Sequence, residues 1–325
     1  MAIMTNKLIL AALDEYVHGH ELAKKTLITM LTRSNLRFFQ KYVKLVNEDF
    51  LISPIKVLLI GPSGTGKTFL LESLAKIAPF PLVRLDATHL APTSASGVTP
   101  EKVMGLIKEQ AKLSYMTYPH LYFSEQGALD KTVVFIDEID KLGTSFDGSK
   151  NWNKHTQSSF LTLFDNKIEF AGVSFVFAGA FTGLTNREKS SNLGFTSKDE
   201  VVKKVEITDE DIIGIGLIPE IVGRITSIVE LEKFTKVEYK KILIDKILSK
   251  KYMDLAAYGV YDEVLDANLI DELVDKALNS SQGVRYLQRE VDRLFLEIEF
   301  NADTGGPKTQ LGELEYIEED DYNDI

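Results

Sequence analysis

The sequence predicts an α/β protein with a parallel five-stranded sheet, followed by a small all-α domain. Short apolar runs that are typical of buried strands alternate with segments of helical periodicity. Such alternation is typical of a parallel sheet covered by helices on both faces. After Leu231 the strand-like runs stop and only helical patterns follow. The strand candidates are Ile55–Ile60, Leu82–Asp86, Thr132–Asp137, Val173–Ala178 and Ser227–Leu231.

Helical patterns fill the intervals between the candidate strands. Upstream of the first strand, residues 8–46 are predicted to be helical, with a break at residues 13–20. Residues 114–131 contain Tyr, Pro and Gly without a clean period, and they are predicted to be a loop. The helices predicted between the strands include Lys67–Ile77, Glu101–Leu113 and Thr156–Phe164.

The C-terminal part is predicted to be a helical domain followed by an acidic tail. Thr235 and Glu238 have the spacing of a capping box, which predicts a helix to about Leu248. Residues 264–278 are predicted to form two short elements. A last helix from about Gly283 brings four apolar side chains to one face: Leu287, Val291, Leu294 and Phe295. The predicted domains are therefore residues 1–231, residues 232–300 and a tail at 301–325.

Composition excludes several classes of protein. The 325 residues carry a net charge of −11, which argues against a surface that coats nucleic acid, although a local basic patch stays open. There is no cysteine, and therefore no disulfide framework or cysteine zinc site. No apolar run is long enough for a membrane span and no signal peptide is evident. We therefore expect a cytoplasmic protein without a membrane partner, whose tail is disordered because residues 312–325 hold seven acids and no base.

A glycine-rich loop with a terminal Lys-Thr pair stands between the first strand and the first helix of the sheet domain. The strand–loop–helix context is the one that a phosphate-binding P-loop requires. Glycines allow backbone N–H groups to surround phosphates, and the helix N-terminus adds partial positive charge. We expect Lys67 to reach the β- and γ-phosphates and Thr68 to bind Mg²⁺. The predicted ATP-binding residues here are Gly61, Pro62, Ser63, Gly64, Thr65, Gly66, Lys67, Thr68 and Phe69.

Two acids end the third strand candidate. Asp137 is expected to hold Mg²⁺, and Glu138 to orient and deprotonate the attacking water. An acidic strand end beside solvent would look the same by itself, but this one follows a P-loop. Because both acids are present, the sequence predicts hydrolysis of ATP with Mg²⁺ and not binding alone.

The break at residues 13–20 leaves two interpretations open. It is either a plain helix–helix turn or part of an adenine pocket, with Val17 and His18 against the base.

Five stretches together match a known family more specifically than a P-loop does. The chain resembles the AAA+ ATPases of the Clp family, most closely its ClpX and HslU members. The resemblance covers about residues 13–300 and implies an AAA+ large domain with a helical lid domain. The stretches are Leu13–Lys25, Asp137–Lys141, Gly179–Phe181, Gly216–Arg224 and Gly283–Leu287.

The resemblance implies a ring, commonly of six subunits, with ATP between neighbours. Arg224 would be the arginine finger that reaches the γ-phosphate of the adjacent subunit, since a guanidinium stabilises the charge of a phosphoryl group in transfer. Arg285 would contact the phosphates from the lid of the same subunit. The strand before Gly179 has no polar side chain at its exit until Thr182, which is the candidate for the first sensor.

The chain departs from the family in segments that would contact substrates and partners. Val98 stands where unfoldases of the family carry a pore-loop tyrosine, which leaves weak grip, a different substrate or no threading open. Trp152, with Lys150, Lys154 and His155, is either a second pore contact or a solvated loop. Leu193-Gly194-Phe195 has the chemistry of the tripeptide that docks a ClpP-like peptidase, and a loop folded on its own core is the alternative. Because the sequence has no cysteine, we do not expect the family's zinc-binding N-terminal domain here.

Three functions follow for testing. The first is a Clp-like motor that uses ATP to remodel or unfold a protein. The second is an AAA+ loader, clamp or accessory factor in a nucleic-acid or assembly process. The third is a nucleotide-gated oligomeric scaffold with slow hydrolysis.

Overall fold

The computed structural model describes residues 5–90, 99–143, 157–158, 160–164, 169–185, 207–261 and 265–303. It divides into two compact units. The first comprises Met1–Pro62 with Gly66–Glu232, and the second comprises Ser63–Thr65 with Lys233–Ile325. Within the described parts, no helix combines the length and the apolar character that are needed to cross a bilayer.

The first unit contains a five-stranded sheet in the order β2-β3-β4-β1-β5, in which all neighbouring strands are parallel. Both faces are covered, because Leu58 and Ile60 join one buried cluster while Val57 and Leu59 join another. This double burial explains the continuous apolar runs in the sequence. The predicted parallel sheet is confirmed, and each strand lies within one residue of its predicted ends. The strands are β1 Lys56–Ile60, β2 Leu82–Asp86, β3 Val133–Asp137, β4 Ser174–Gly179 and β5 Ser227–Glu230.

Helices of the first unit precede the sheet and connect its strands. Residues 157–158 and 160–164 are also helical, in the interval predicted as Thr156–Phe164. Short 3₁₀ turns occupy Glu48–Phe50 and Ile139–Leu142. The α-helices are α1 Asn6–Tyr16, α2 Glu21–Tyr42, α3 Lys67–Ile77, α4 Ala87–Leu90, α5 Pro100–Thr117, α6 Pro119–Tyr122, α7 Glu125–Asp130, α8 Thr182–Thr185, α9 Asp209–Ile215 and α10 Pro219–Val222.

The prediction of a loop at residues 114–131 is wrong. Helix α5 continues to Thr117, and α6 and α7 follow almost directly. Pro119 lies in the first turn of α6, where its missing N–H costs nothing. Ser124 caps α7 by accepting a hydrogen bond from Gly127 N at 3.0 Å. The residues that suggested a loop therefore mark breaks between short helices.

The predicted extent of α2 is also corrected. The helix ends at Tyr42 and not near Val46. Leu45 has a φ of 53°, in the left-handed region, which a right-handed helix cannot contain.

The second unit is helical. Thr235 and Glu238 form the predicted capping box, and the helix that they open passes into a π-helical segment, Leu243–Leu248. Leu287, Val291 and Phe295 are fully buried and Leu294 is partly buried against the same cluster, which confirms the predicted apolar face of the last helix. The helices are α11 Lys236–Ile242, α12 Ser249–Ala257, α13 Ala267–Asn279 and α14 Val284–Asp303.

Two further predictions for this unit need correction. The stretch predicted as two short elements holds the single helix α13, whose N-cap Asp266 accepts a hydrogen bond from Asn268 N. The last helix runs to Asp303 and so takes in the first three residues of the predicted tail, because nothing before Thr304 breaks its helical pattern.

Candidate active site

The P-loop lysine contacts the backbone at the start of its own loop. β1 delivers the chain to Gly61, whose N–H donates to Gly179 O on β4 at 3.1 Å. Gly66 turns the chain into α3 with a φ of 83°, in the region that favours glycine. Lys67 Nζ then donates to Gly61 O at 2.5 Å and to Pro62 O at 2.9 Å. The ammonium therefore lies at the point where β1 ends and the loop begins.

The two residues predicted to bind Mg²⁺ are brought together. Thr68, in the first turn of α3, donates its hydroxyl to Asp137 Oδ2 at 2.9 Å, although 69 positions separate them in the chain. Parallel packing of β1 and β3 on either side of β4 places both strand ends at one edge of the sheet. A hydroxyl and a carboxylate are hard oxygen donors, and Mg²⁺ commonly takes one or two protein ligands besides substrate phosphates. The pair fits this ion.

Glu138 has an unusual backbone conformation. Its φ is 56°, in the left-handed region, which costs a non-glycine residue about 1–2 kcal/mol. Its N–H donates to Asp137 Oδ1 at 2.9 Å, and its side chain is exposed. Strain of this kind is often retained where a functional side chain must leave a strand in a particular direction. The exposed carboxylate, one residue after Asp137, is therefore accessible to water.

Asp140 is a buried carboxylate for which the sequence predicted no role. It exposes 7% of its surface and accepts hydrogen bonds from Ala180 N and Phe181 N, each at 3.3 Å. A Cβ at Gly179 would lie 2.6 Å from Asp140 Oδ1 and 2.5 Å from Phe181 Cε2, so glycine leaves room for both side chains. Asp140 thus joins the turn that follows Glu138 to the exit of β4. The sequence signal for this residue was its position in the stretch Asp137–Lys141, which matches the Clp family.

Arg224 lies in the short connection between α10 and β5. Its Nη1 donates to Glu220 O at 2.6 Å, and its N–H donates to Ile221 O at 3.0 Å. The side chain is partly exposed. The residue therefore stands on a short, hydrogen-bonded turn at the surface of the first unit.

The middle of the P-loop, Ser63–Thr65, groups with the second unit, where it contacts the start of α14. Arg285 Nη1 donates to Ser63 Oγ at 3.1 Å. Gly64 has a φ of 76°, and a Cβ there would lie 2.2 Å from Gln282 O. Only glycine fits such an approach of two backbones. The structure thus brings Arg285, the predicted lid contact, to a predicted phosphate-binding residue.

The remaining predicted site residues have varied environments. Val17 exposes 4% of its surface and packs in the cluster that contains Leu70 of α3, while His18 is half-buried. They lie in the break between α1 and α2, but this break is shorter than predicted. Because Leu13 is buried on α1, the helix continues to Tyr16 and the break spans residues 17–20. Phe69 is exposed in the first turn of α3, and Thr182, the candidate first sensor, is exposed at the start of α8.

The predicted substrate and partner contacts lie outside the described residues. They are Val98, Lys150, Trp152, Lys154, His155 and the tripeptide Leu193-Gly194-Phe195.

A cavity of about 370 Å³ lies between the C-terminal parts of α3 and α5. Its lining includes Lys76, Gln110 and Tyr118, and no residue of the predicted site contributes to it.

Comparison with known proteins gives two findings. The sequence profile of the ATPase family associated with various cellular activities (AAA) matches residues 57–189, which include the P-loop and both strand-end acids. Curated relatives named ATP-dependent Clp protease ATP-binding subunit ClpX match almost the whole chain. The relative from Treponema denticola is 27% identical over 93% of this chain and 78% of its own length. The relative from Borrelia duttonii is 27% identical over 91% of this chain and 74% of its own length. The relative from Porphyromonas gingivalis is 25% identical over 94% of this chain and 80% of its own length.

Proposed function

We propose that this chain is a ClpX-like AAA+ ATPase, and that it forms a ring and uses ATP hydrolysis to remodel or unfold a protein. The observation that carries the catalytic part is the 2.9 Å hydrogen bond between Thr68 and Asp137, with Glu138 next in the chain. Together with Lys67 and the loop amides, these three side chains supply the metal ligands and the base that hydrolysis at a P-loop uses. The assembly and the substrate class rest on the similarity to ClpX.

The subunit's own residues bind and orient the triphosphate. In this proposal Lys67 contacts the β- and γ-phosphates, and the amides of Gly64 to Gly66 surround them. Mg²⁺, held by Thr68 and Asp137, would supply positive charge against the phosphate oxygens. The Glu138 carboxylate accepts the proton of the attacking water, so that the oxygen attacks phosphorus as the bond to the ADP oxygen breaks. Arg285, bound to Ser63 Oγ in the structure, contacts the same phosphates.

A neighbouring subunit completes the site. Arg224 would extend from its turn toward the γ-phosphate bound next door, where its fixed charge stabilises the transition state. Val17 and His18 would border the adenine. Because each site then uses residues from two chains, hydrolysis depends on assembly, and we propose six subunits as in the resembling family.

The choice of a protein as substrate rests on the relatives. Their names describe ATP-binding subunits of a Clp protease. A ClpP-like peptidase, docked by Leu193-Gly194-Phe195, is the corresponding proposed partner. The loader or accessory factor and the slowly hydrolysing scaffold are the alternatives, since Val98 replaces an aromatic residue that would grip a threaded chain.

The Glu138→Gln variant tests the catalytic assignment. We expect hydrolysis to fall by at least about 100-fold, because an amide cannot take the proton of water. Binding of a fluorescent ATP analogue should persist, since Lys67 and Thr68 are unchanged. Glu125→Gln, at the exposed start of α7, is the matched control and should hydrolyse ATP normally. Retained turnover in Glu138→Gln would remove the assigned base.

The ATPase rate with different additives tests the substrate class. Stimulation by an unfolded protein supports the remodelling motor. Stimulation by DNA alone would replace it with the nucleic-acid accessory factor. Indifference to both, with a mass that depends on nucleotide, would replace it with the scaffold.

A further inference from the structure

We infer that Gln157 is a positioning residue for the arginine finger, so that its side chain serves the active site of the neighbouring subunit and not that of its own chain. The inference rests on the proposed function, in which Arg224 acts across a subunit boundary. It assigns a role to a residue that the catalytic description does not use.

Gln157 is a fully buried amide with all its bonds directed at two segments of the chain. It exposes 0% of its surface. Its Oε1 accepts from Ile218 N at 2.7 Å, and its Nε2 donates to Gly216 O at 3.0 Å and to Leu142 O at 3.1 Å. The amide orientation follows from these partners, since only oxygen can accept from an N–H and only nitrogen can donate to carbonyls. A buried side chain that bonds in this way holds backbone in place.

Two of these bonds hold the segment that leads to Arg224. Gly216 and Ile218 lie just before α10, which ends at Val222. Gly223 and then Arg224 follow the end of this helix. At the other end of the segment, Thr226 N donates to Lys56 O at 2.7 Å, and Thr226 Oγ1 accepts from Lys56 N at 3.2 Å. The finger thus stands on a short stretch anchored to β1 at one end and to Gln157 at the other.

The third bond joins this stretch to the turn that follows the catalytic acid. Leu142 ends the 3₁₀ turn that begins after Glu138. Beside it, the backbones of Gly143 and Gly216 pack so closely that a Cβ on Gly216 would lie 2.4 Å from Gly143 O. Gly216 has a φ of 112°, so glycine is required there on both grounds.

The two segments do not depend on Gln157 equally. The turn after Glu138 keeps the two bonds from Ala180 N and Phe181 N to Asp140 when Gln157 is replaced. The N-terminal end of the finger segment loses both of its bonds to the Gln157 amide. Loss of Gln157 should therefore displace Arg224 and leave the subunit's own base in place.

The test uses Gln157→Met, which keeps an unbranched side chain of similar length but cannot make the bonds. We expect the ATPase rate of the pure variant to fall about 10- to 100-fold, as for a misplaced catalytic group. Its binding of a fluorescent ATP analogue and its assembled mass should not change. A variant that simply damaged its own site would give the same rate, so the decisive measurement mixes subunits.

Equimolar mixing with Glu138→Gln distinguishes a displaced arginine finger from damage to the variant's own active site. Glu138→Gln subunits retain an intact finger, so they should restore hydrolysis in adjacent Gln157→Met subunits, and the mixture should exceed the mean of the pure variants. Arg224→Ala mixed with Glu138→Gln is the reference and should recover in the same way. Gln126→Met, which removes an amide that donates to Asp130 Oδ1 and Glu169 O elsewhere, is the matched control and should show dilution only.

The outcomes separate the inference from the function beneath it. Recovery with both Arg224→Ala and Gln157→Met supports the role of Gln157. Recovery with Arg224→Ala alone overturns it, while no recovery with either removes the finger acting between subunits. Should Gln157→Met fail to assemble, Gln157→Glu replaces it, since it keeps the size and the acceptor for Ile218 N but loses both donations. Absence of recovery in that mixture, beside a recovering Arg224→Ala, equally overturns the inference.

Discussion

Asp140 differs from the two acids before it in being buried and hydrogen-bonded to backbone. Asp137 accepts a hydrogen bond from Thr68 on α3, and the Glu138 side chain is exposed to solvent. Asp140 instead accepts hydrogen bonds from Ala180 N and Phe181 N. A carboxylate that accepts two backbone N–H groups fixes the relative positions of the segments that carry them. Asp140 thus ties the turn that follows the proposed base to the exit of β4.

We predict that Asp140→Asn lowers kcat for ATP about tenfold while KM is retained. The amide keeps one acceptor but presents its NH₂ to the second backbone N–H, and a small displacement of a catalytic group has an effect of this size or more. Steady-state kinetics measures the two constants. Asp266→Asn, a cap in the second unit, is the control and should change neither. Unchanged kcat in Asp140→Asn would show that Glu138 needs no such support.

Lys131 is a second residue whose environment makes a measurable prediction. Burial lowers the pKa of Lys131 to about 8 from the ordinary lysine value of 10.5, and its Nζ lies 5.3 Å from the centroids of both the Phe38 and Tyr122 rings. Because the pKa is lower in the folded chain, the unfolded chain binds more protons between these pH values. The free energy of unfolding therefore rises with pH across that window, and the cost of the desolvated ammonium is fully present below it.

We expect the Lys131→Met variant to lose this dependence. Relative to the variant, the native protein should gain up to about 3 kcal/mol in free energy of unfolding as pH rises from about 8 to 10.5. Urea denaturation at several pH values measures the difference. Lys102→Met, on the exposed start of α5, controls for general loss of charge. Parallel curves for the native chain and Lys131→Met would contradict the lowered pKa.

At the scale of elements, local side-chain chemistry explains where helices begin. Thr235 N donates to Glu238 Oε2 at 2.7 Å, and Glu238 N donates to Thr235 Oγ1 at 3.3 Å. The same reciprocal pattern opens α9, with Thr208 and Asp211. Both pairs satisfy N–H groups that a helix N-terminus leaves without intrahelical partners.

Removing the cap of α11 should destabilise the second unit. We predict that Thr235→Ala lowers its free energy of unfolding by about 1 kcal/mol, the usual effect of losing an N-cap hydroxyl. Hydrogen–deuterium exchange of the α11 amides reports on this helix directly and should accelerate. Val237→Ala, which changes an exposed side chain in the same turn, should exchange as the native chain does. Equal protection in the two variants would mean that packing alone holds the helix.

At the scale of the whole molecule, the proposed mechanism makes hydrolysis a property of neighbouring chains. The subunit supplies Lys67 and Thr68 from the start of α3, and Asp137 and Glu138 from the end of β3, at one edge of the parallel sheet. The finger stands instead on a surface turn between α10 and β5. Assembly is then required for turnover but not for binding of ATP.

We predict that Arg224→Ala lowers the ATPase rate by about 10³-fold or more, as expected for an arginine finger. Nucleotide affinity and assembled mass, measured by fluorescence and by light scattering, should be retained. Arg84→Ala is the matched control, since Arg84 is exposed and pairs only with Glu72 among the described ion pairs. A native rate in Arg224→Ala, or a strict monomer that hydrolyses ATP at the native rate, would contradict a shared site.

The local patterns of this sequence were sufficient for the sheet, the P-loop and the acids that end β3. Burial of the sheet on both faces produces continuous apolar runs. Phosphate binding at a helix N-terminus needs glycine and Lys-Thr at set spacing. Both features are therefore short contiguous patterns that can be recognised in the sequence. Local patterns gave the wrong prediction for residues 114–131. The short capped helices there resemble a loop in sequence, because each holds too few residues to show a helical period.

Only the tertiary structure decided which distant groups meet. The contacts of Asp140 with the exit of β4, and of Gln157 with Leu142, Gly216 and Ile218, join segments far apart in sequence. A single buried carboxylate or amide belongs to no repeating sequence pattern, so the neighbouring residues in the chain do not indicate which groups it will bond. The positions of the chemical groups can be read from short motifs, but the contacts that hold them in register exist only once the sheet has brought the strand ends together.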